Sequence, residues 1–345
     1  MAASAEPGQV RVAVERVSRC PLCGSGDQRR WFASRDRLHR LDQQDFTYSR
    51  CRTCRLVYLS VRPTREDSGR LYPDDYAPYL TSAGARELGE TAPASGRPAS
   101  APSQPRPRRV TRFVGKAVDR VLPNRLPGVL DAVYTPRPPG ALVDYGCGGP
   151  AFLDQARTRG WATTIGVDMN PGVVARVADA GHRGVLAGDF GDAVADGSLA
   201  VVRLNHVLEH LYDPVEALST IRSKVAPGGT VHIAVPNGAS VWAALFRSDW
   251  FNSDPRHLVQ YAPAQLRRLA ALAGFSDVLI VHEVITKDIA RSWGYVRERR
   301  GSLDHAGVEA LAADKRLQVL LEYPARFSAA IGRGDRFHAL LRVTG

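Results

Sequence analysis

The chain has 345 residues, a formal charge of +11, 44% apolar and 23% charged residues. That is longer than one hydrophobic core usually serves and too apolar for a disordered or fibrous chain, so one large domain with a smaller module is expected. No uncharged apolar run approaches the ~18 residues of a membrane span, and the start is small and polar, which predicts a soluble, cytoplasmic protein without a membrane partner.

The positive charge is almost all arginine: the lysines are only Lys116, Lys224, Lys287 and Lys315. Eight Arg and one Lys fall between Arg97 and Arg137 against Asp119 and Asp131, a local +7. Clustered cations favour polyanions through counterion release, but a solvated linker explains the same run and is preferred here.

Four of the five cysteines form two C-x-x-C pairs, Cys20/Cys23 and Cys51/Cys54, with 27 residues between Cys23 and Cys51. In a reducing compartment such pairs predict four thiolates around one tetrahedral Zn²⁺, and a closed sulfur set predicts a structural ion with no position open to water. A redox dithiol needs only one such pair. Cys20-Pro-Leu-Cys-Gly24 has a turn proline and a closing glycine, whereas Cys51-Arg-Thr-Cys-Arg55 lacks the glycine. Phe46, Tyr48 and Leu56–Leu59 are expected to be ribbon strands, giving a zinc ribbon over 15–62.

Residues 63–108 begin with an aromatic, prolyl segment (Tyr72, Tyr76, Tyr79) and continue as a disordered Pro/Ala/Ser/Arg linker. A helical lead-in is expected over 109–138, a core over 139–285 and a C-terminal helical insertion with a last strand over 286–345. Within the core, apolar runs alternate with helical stretches, the mark of a parallel sheet with crossover helices. Strands are expected at 141–144, 163–167, 184–188, 200–204, 230–235 and 278–284, with a last one at 337–343. Helices are expected near 151–160, 171–180, 207–225 and 263–273.

The run Leu142-Val-Asp-Tyr-Gly-Cys-Gly-Gly-Pro-Ala-Phe-Leu153 is a strand, a glycine turn and a helix start, where a ligand can lie against bare backbone. Asp168 ends the next strand, placed to accept hydrogen bonds from ribose hydroxyls, or alternatively to cap the helix at Asn170-Pro171. Asp144 suits a cationic ligand better than a pyrophosphate, which it would repel. Gly188-Asp189-Phe190 suits an adenine amino group and ring face.

Together with His206-Val-Leu-Glu-His210, the Pro-Gly-Gly before a strand ending Pro236-Asn237, and Arg256-His257-Leu258 with Tyr261, these motifs resemble class I S-adenosylmethionine-dependent methyltransferases, in particular a bacterial subgroup with an N-terminal zinc ribbon. The resemblance covers about residues 140–285. It implies an α/β, Rossmann-like doubly wound sheet, with S-adenosyl-L-methionine as cofactor beside the structural Zn²⁺. It further implies that Asp144, Gly146 and Gly148 flank the methionine moiety, Asp168 the ribose, Asp189 and Phe190 the adenine, and Asn205 and His206 the sulfonium, with Met169 also at the cofactor. Two residues depart from the family pattern: Pro150 stands in place of a third glycine and Ala200 in place of an acid. Proline fits a first helical turn.

His206-x-x-Glu209-His210 also fits an inverted zinc-peptidase motif, but His206 directly follows an apolar strand instead of lying within a helix. Glu209 either caps, pairs or lines the sheet edge, and His210 is either a core histidine or an active-site wall. For an oxygen acceptor a base is needed, and His257 is the first candidate. Asp254 and Arg256 either bind an anionic substrate group or fix their own loop as an ion-pair cluster. Trp242, Phe246, Trp250 and Phe251 are either core or an acceptor wall. The expected activity is methylation of a small molecule, a sugar or secondary-metabolite hydroxyl, with RNA methylation and a non-catalytic scaffold as alternatives.

Overall fold

The computed structural model describes residues 11–42, 44–72 and 125–344. Tyr76, Tyr79, the linker, most of the basic run and the first part of the expected lead-in lie outside the described residues.

The N-terminal part forms an antiparallel sheet from β1 (Val14–Arg16), β2 (Gln28–Ser34), β3 (Phe46–Cys51) and β4 (Val57–Pro63), in the order β1-β4-β3-β2. The ribbon strands expected from the aromatic and β-branched residues are β3 and β4, whose Phe46, Tyr48, Tyr58 and Leu59 are buried.

The larger sheet has seven strands: β5 (Ala141–Tyr145), β6 (Thr163–Asp168), β7 (Arg183–Leu186), β8 (Leu199–Asn205), β9 (Val225–Pro236), β11 (Asp277–Glu283) and β12 (Arg336–Arg342). Its order is β11-β12-β9-β8-β5-β6-β7; β5 to β9 are parallel, and β12 runs antiparallel between β9 and β11. Helices cover both faces, so the central strands are buried on both sides and carry almost continuous apolar residues, as in Leu199-Ala-Val-Val-Arg-Leu204. This is the Rossmann-like class expected from the alternation. The chain order reverses at β5 next to β8, and in sheets of this kind ligands bind at that switch point, outside the carboxyl ends of the strands.

Several boundaries differ from expectation. The helix expected at 207–225 begins only at Pro214: His206 adopts a left-handed φ of +54°, Leu208–His210 form one 3-10 turn, and Pro214 then takes the first helical position. The fifth strand starts at Val225, because Pro227-Gly228-Gly229 continue it rather than precede it. The residues read as a possible acceptor wall are mostly core: Trp242, Phe246 and Trp250 are buried with Ile289 and Ala325 of the C-terminal helices. Phe251 is half-buried under the Arg291 guanidinium.

A short strand from the core, β10 (Val259–Gln260), extends the N-terminal sheet by pairing antiparallel with Val57 and Tyr58 of β4. Nothing in the sequence pattern foretold this pairing. It fixes the cysteine-bearing module against the loop that carries His257.

Candidate functional site

The two cysteine pairs converge. Cys20 Sγ stands 3.5 Å from Cys54 Sγ and Cys23 Sγ 3.6 Å from Cys51 Sγ. A tetrahedron with 2.3 Å metal–sulfur bonds has edges of about 3.8 Å, so the four sulfurs fit Zn²⁺ with little movement. Both knuckles close alike: Gly24 N–H donates to Cys20 O with φ +71°, and Arg55 N–H donates to Cys51 O with φ +64°. Arg55 thus adopts the left-handed turn without a glycine, a strain of roughly 1–2 kcal/mol that metal coordination can hold in place.

In the large sheet, the turn after β5 has Gly146 at φ +73° and Gly148 at φ +63°. A Cβ on Gly146 would lie 2.4 Å from Val207 Cγ2, so only glycine lets this turn approach the exit of β8. Pro150 sits at the N-terminal boundary of the helix Ala151–Thr158 and its carbonyl accepts from Asp154 N–H, so the departure from a third glycine leaves the helix start intact. Asp168 is buried; its two oxygens accept from Gly148 N–H and Asn170 N–H, both at 2.9 Å. Burial raises its pKa against those bonds. The helix cap itself is Asn170, which accepts from Gly172 N–H, so the capping alternative for Asp168 passes to its neighbour. Met169 and Asp189 are exposed beside this turn, while Phe190 is buried edge-on against Tyr145.

Asp144 is fully buried and its Oδ1 pairs with Arg203 of β8 at 2.7 Å, with Arg203 stacked over Phe152. Its charge is thus paired with Arg203 inside the sheet. Asn205, at the end of β8, has a buried Oδ1 without a hydrogen-bond partner among the described residues.

Just beyond Asn205 the chain gathers a second group of side chains. His206 Nδ1 lies 3.1 Å from Glu209 Oε1. Glu209 is 1% exposed, and its Oε2 has no hydrogen-bond partner among the described residues. The rings of His210 and His257 meet edge-on with centroids 4.8 Å apart. His210 Nδ1 faces Arg256 O at 2.8 Å and Tyr72 Oη at 3.0 Å; His257 Nδ1 faces Asn252 O at 2.9 Å. Because carbonyls only accept, both Nδ1 atoms carry the proton and both Nε2 atoms keep a lone pair. Burial, reinforced at His210 by the neighbouring His257, lowers both pKa values to about 4, so the imidazoles are neutral at neutral pH. Tyr261 Oη is buried without a hydrogen-bond partner among the described residues, and burial with the nearby Glu209 charge pushes its pKa up.

The loop 252–257 is held by the N-terminal module. Tyr48 Oη donates to Asp254 O at 2.9 Å or His257 O at 2.6 Å, and Ser34 Oγ donates to Ser253 O. Arg256 is 4% exposed and donates to Asp36, Asp254 and the Leu71 carbonyl. Of the two readings of Asp254 and Arg256, these contacts are those of the loop-fixing cluster, with the guanidinium donating to two carboxylates and a carbonyl. Sequence reasoning missed Asp36, Tyr48 and Arg203, which carry no motif. Tyr72 stood out only as an aromatic residue, and Tyr261 only as part of the resemblance.

A family model described as a methyltransferase domain matches residues 108–280. Among solved structures, the chain is similar to an S-adenosylmethionine-dependent methyltransferase from Archaeoglobus fulgidus, with 21% identity over 67% of this chain and 93% of that one and a TM-score of 0.41. It is also similar to an S-adenosylmethionine-dependent methyltransferase from Thermotoga maritima, with 15% identity over 67% of this chain and 96% of that one and a TM-score of 0.42. No curated protein matches the sequence.

Proposed function

We propose, from the premise that this chain belongs to the methyltransferase-domain family of class I S-adenosylmethionine-dependent enzymes, that it methylates a hydroxyl of a small polyhydroxylated acceptor such as a sugar or secondary metabolite. One observation carries the reading: the glycine turn of the cofactor crevice packs directly on Val207, in the segment that bears His206, Glu209 and His210. The donor and acceptor sides then share one edge of the sheet.

S-adenosylmethionine supplies a methyl group on a positively charged sulfur, which departs as a neutral thioether. The chain's own residues do the rest. Gly146 and Gly148 leave the backbone bare for the methionine moiety, Asp168 accepts from the ribose, Met169, Asp189 and Phe190 border the adenine, and Asn205 and His206 face the sulfonium side. The uncommitted Oδ1 of Asn205 supports that assignment. Across from them, Glu209, His210 and His257 converge with lone pairs toward the acceptor hydroxyl, whose proton must leave as its oxygen becomes the nucleophile. Holding the two reactants in line contributes most of the acceleration.

The cysteine module acts as a zinc-held buttress. It binds no substrate in this reading; it orients His257 through Tyr48, Ser34 and Asp36.

The test is a methyl-transfer screen of the full-length, zinc-loaded protein against sugars, glycosides and phenolic metabolites, read as S-adenosylhomocysteine release. Turnover on a hydroxylated small molecule is expected. Turnover on RNA alone, or S-adenosylmethionine binding without transfer to any acceptor class, would overturn the reading.

A further inference from the structure

We propose that Glu209, His210 and His257 form a second metal site, distinct from the four cysteines, that holds a divalent cation with coordination positions left open for the acceptor oxygen. Glu209 and His210 come from the 3-10 turn after β8, and His257 comes from the loop 252–257, yet their ligand atoms all lie within 4.8 Å of one another.

Three features of the cluster point to a cation. The first is the orientation of the histidines: each imidazole donates its Nδ1 proton to a backbone carbonyl, Arg256 O or Asn252 O, and presents a bare Nε2. Metal-binding histidines are fixed in this way by their outer partners. The second is Glu209, whose buried Oε2 lacks any hydrogen-bond partner among the described residues while Oε1 is engaged by His206. A buried carboxylate oxygen without a partner is unfavourable, and a cation between Oε2 and the two imidazoles removes that cost. The third is the donor set. Two imidazoles and one carboxylate suit first-row divalent ions such as Mn²⁺, Fe²⁺, Co²⁺ or Zn²⁺ and leave positions free, unlike the closed sulfur site. Ligands about 2.1 Å from a metal stand about 3–3.4 Å apart, so binding draws the three side chains inward by up to about an ångström.

The acceptor part of this inference rests on the reading given under Proposed function. A cation there holds the acceptor oxygen and lowers the pKa of its hydroxyl, so the proton can pass to water. On that account the two imidazoles act as ligands, and the acceptor is oriented by the metal instead of by a protein base.

The experiment uses the full-length protein with its cysteine site loaded with zinc. Mn²⁺ and Co²⁺ are titrated in by calorimetry, and metal content is counted after gel filtration. One further divalent ion per chain is expected, without the thiolate charge-transfer absorption that cobalt shows on sulfur. In Glu209→Gln and His257→Gln its affinity should fall at least tenfold, while cysteine-bound zinc, melting temperature and S-adenosylmethionine affinity stay as in the parent. A single metal per chain and no further binding in parent and variants alike would overturn the inference. If S-adenosylmethionine binds but no second ion does, the metal site fails and the methyltransferase reading stands. If the second ion binds but S-adenosylmethionine does not, the reverse holds.

Discussion

Two side-chain clusters among the described residues have the composition of metal sites, and they are built in opposite ways. The cysteine cluster lies on two tight knuckles of one small sheet, with all four ligands within 35 residues of sequence. The Glu209–His210–His257 cluster is assembled by the fold, from a turn of the large sheet and a loop pinned by the small one. A closed set of four sulfurs can only hold structure together; an open set of two nitrogens and an oxygen at the sheet's carboxyl edge can meet a substrate. On the proposed reading, the contrast separates stability from chemistry in this chain. It also makes the first cluster the support of the second.

The strongest way to break that dependence is to remove the zinc proposed for the four cysteines. Structural zinc contributes on the order of 10 kcal/mol to small metal-dependent folds, so Cys20→Ser should lower the melting temperature and abolish methyl transfer, because Tyr48, Ser34 and Asp36 lose their hold on loop 252–257. Scanning calorimetry with a turnover assay checks this; an unchanged melting profile in metal-free protein would separate the two clusters. His257→Ala attacks the other side. Turnover should drop about a hundredfold or more, with S-adenosylhomocysteine affinity within about twofold of the parent, and full turnover would remove His257 from the site.

Smaller effects sharpen the boundary between donor and acceptor sides. Asp168→Ala should weaken cofactor binding by about 1.5–3 kcal/mol, the range for hydrogen bonds to a charged group, with no effect on metal content; equal affinity in both proteins would move the ribose elsewhere. Tyr48→Phe removes one hydroxyl from the buttress and should lower kcat by about three- to tenfold without changing KM for S-adenosylmethionine. A change in KM alone would assign Tyr48 to general folding.

Asp335 serves as a control away from both clusters. Burial raises its pKa to about 7, from 3.8 in the unfolded chain, and its Oδ1 accepts from Trp250 Nε1. The folded state therefore favours the neutral acid: the contribution to stability is fully present below about pH 4 and is lost as pH rises through 7. Relative to Asp335→Asn, the parent should lose roughly 1 kcal/mol between pH 6 and 8, measured by chemical denaturation at each pH. A difference that stays flat would show the carboxyl to be ionised throughout.

The sequence revealed the fold class because buried parallel strands need long apolar runs, and the glycine turn because Gly146 and Gly148 adopt backbone that other residues resist. It revealed the four-cysteine cluster because spacing alone confines it. It could place neither Arg203 against Asp144 nor Asp36 against Arg256, since pairs 59 and 220 residues apart depend on how sheets meet. The start of the helix at Pro214 was obscured for a related reason: the apolar pattern of residues 207–211 suits a helix, but the left-handed His206 and the 3-10 turn bring Glu209 and His210 to the sheet edge instead.

The measurement closest to the central claim is calorimetric titration of the zinc-loaded, full-length chain with S-adenosylmethionine. The account predicts one site per chain with a dissociation constant in the micromolar range, about −8 kcal/mol, weakened at least tenfold in Asp168→Ala. Folded, zinc-loaded protein that gives no binding heat at any temperature, and no protection of the glycine turn from hydrogen exchange, would contradict it.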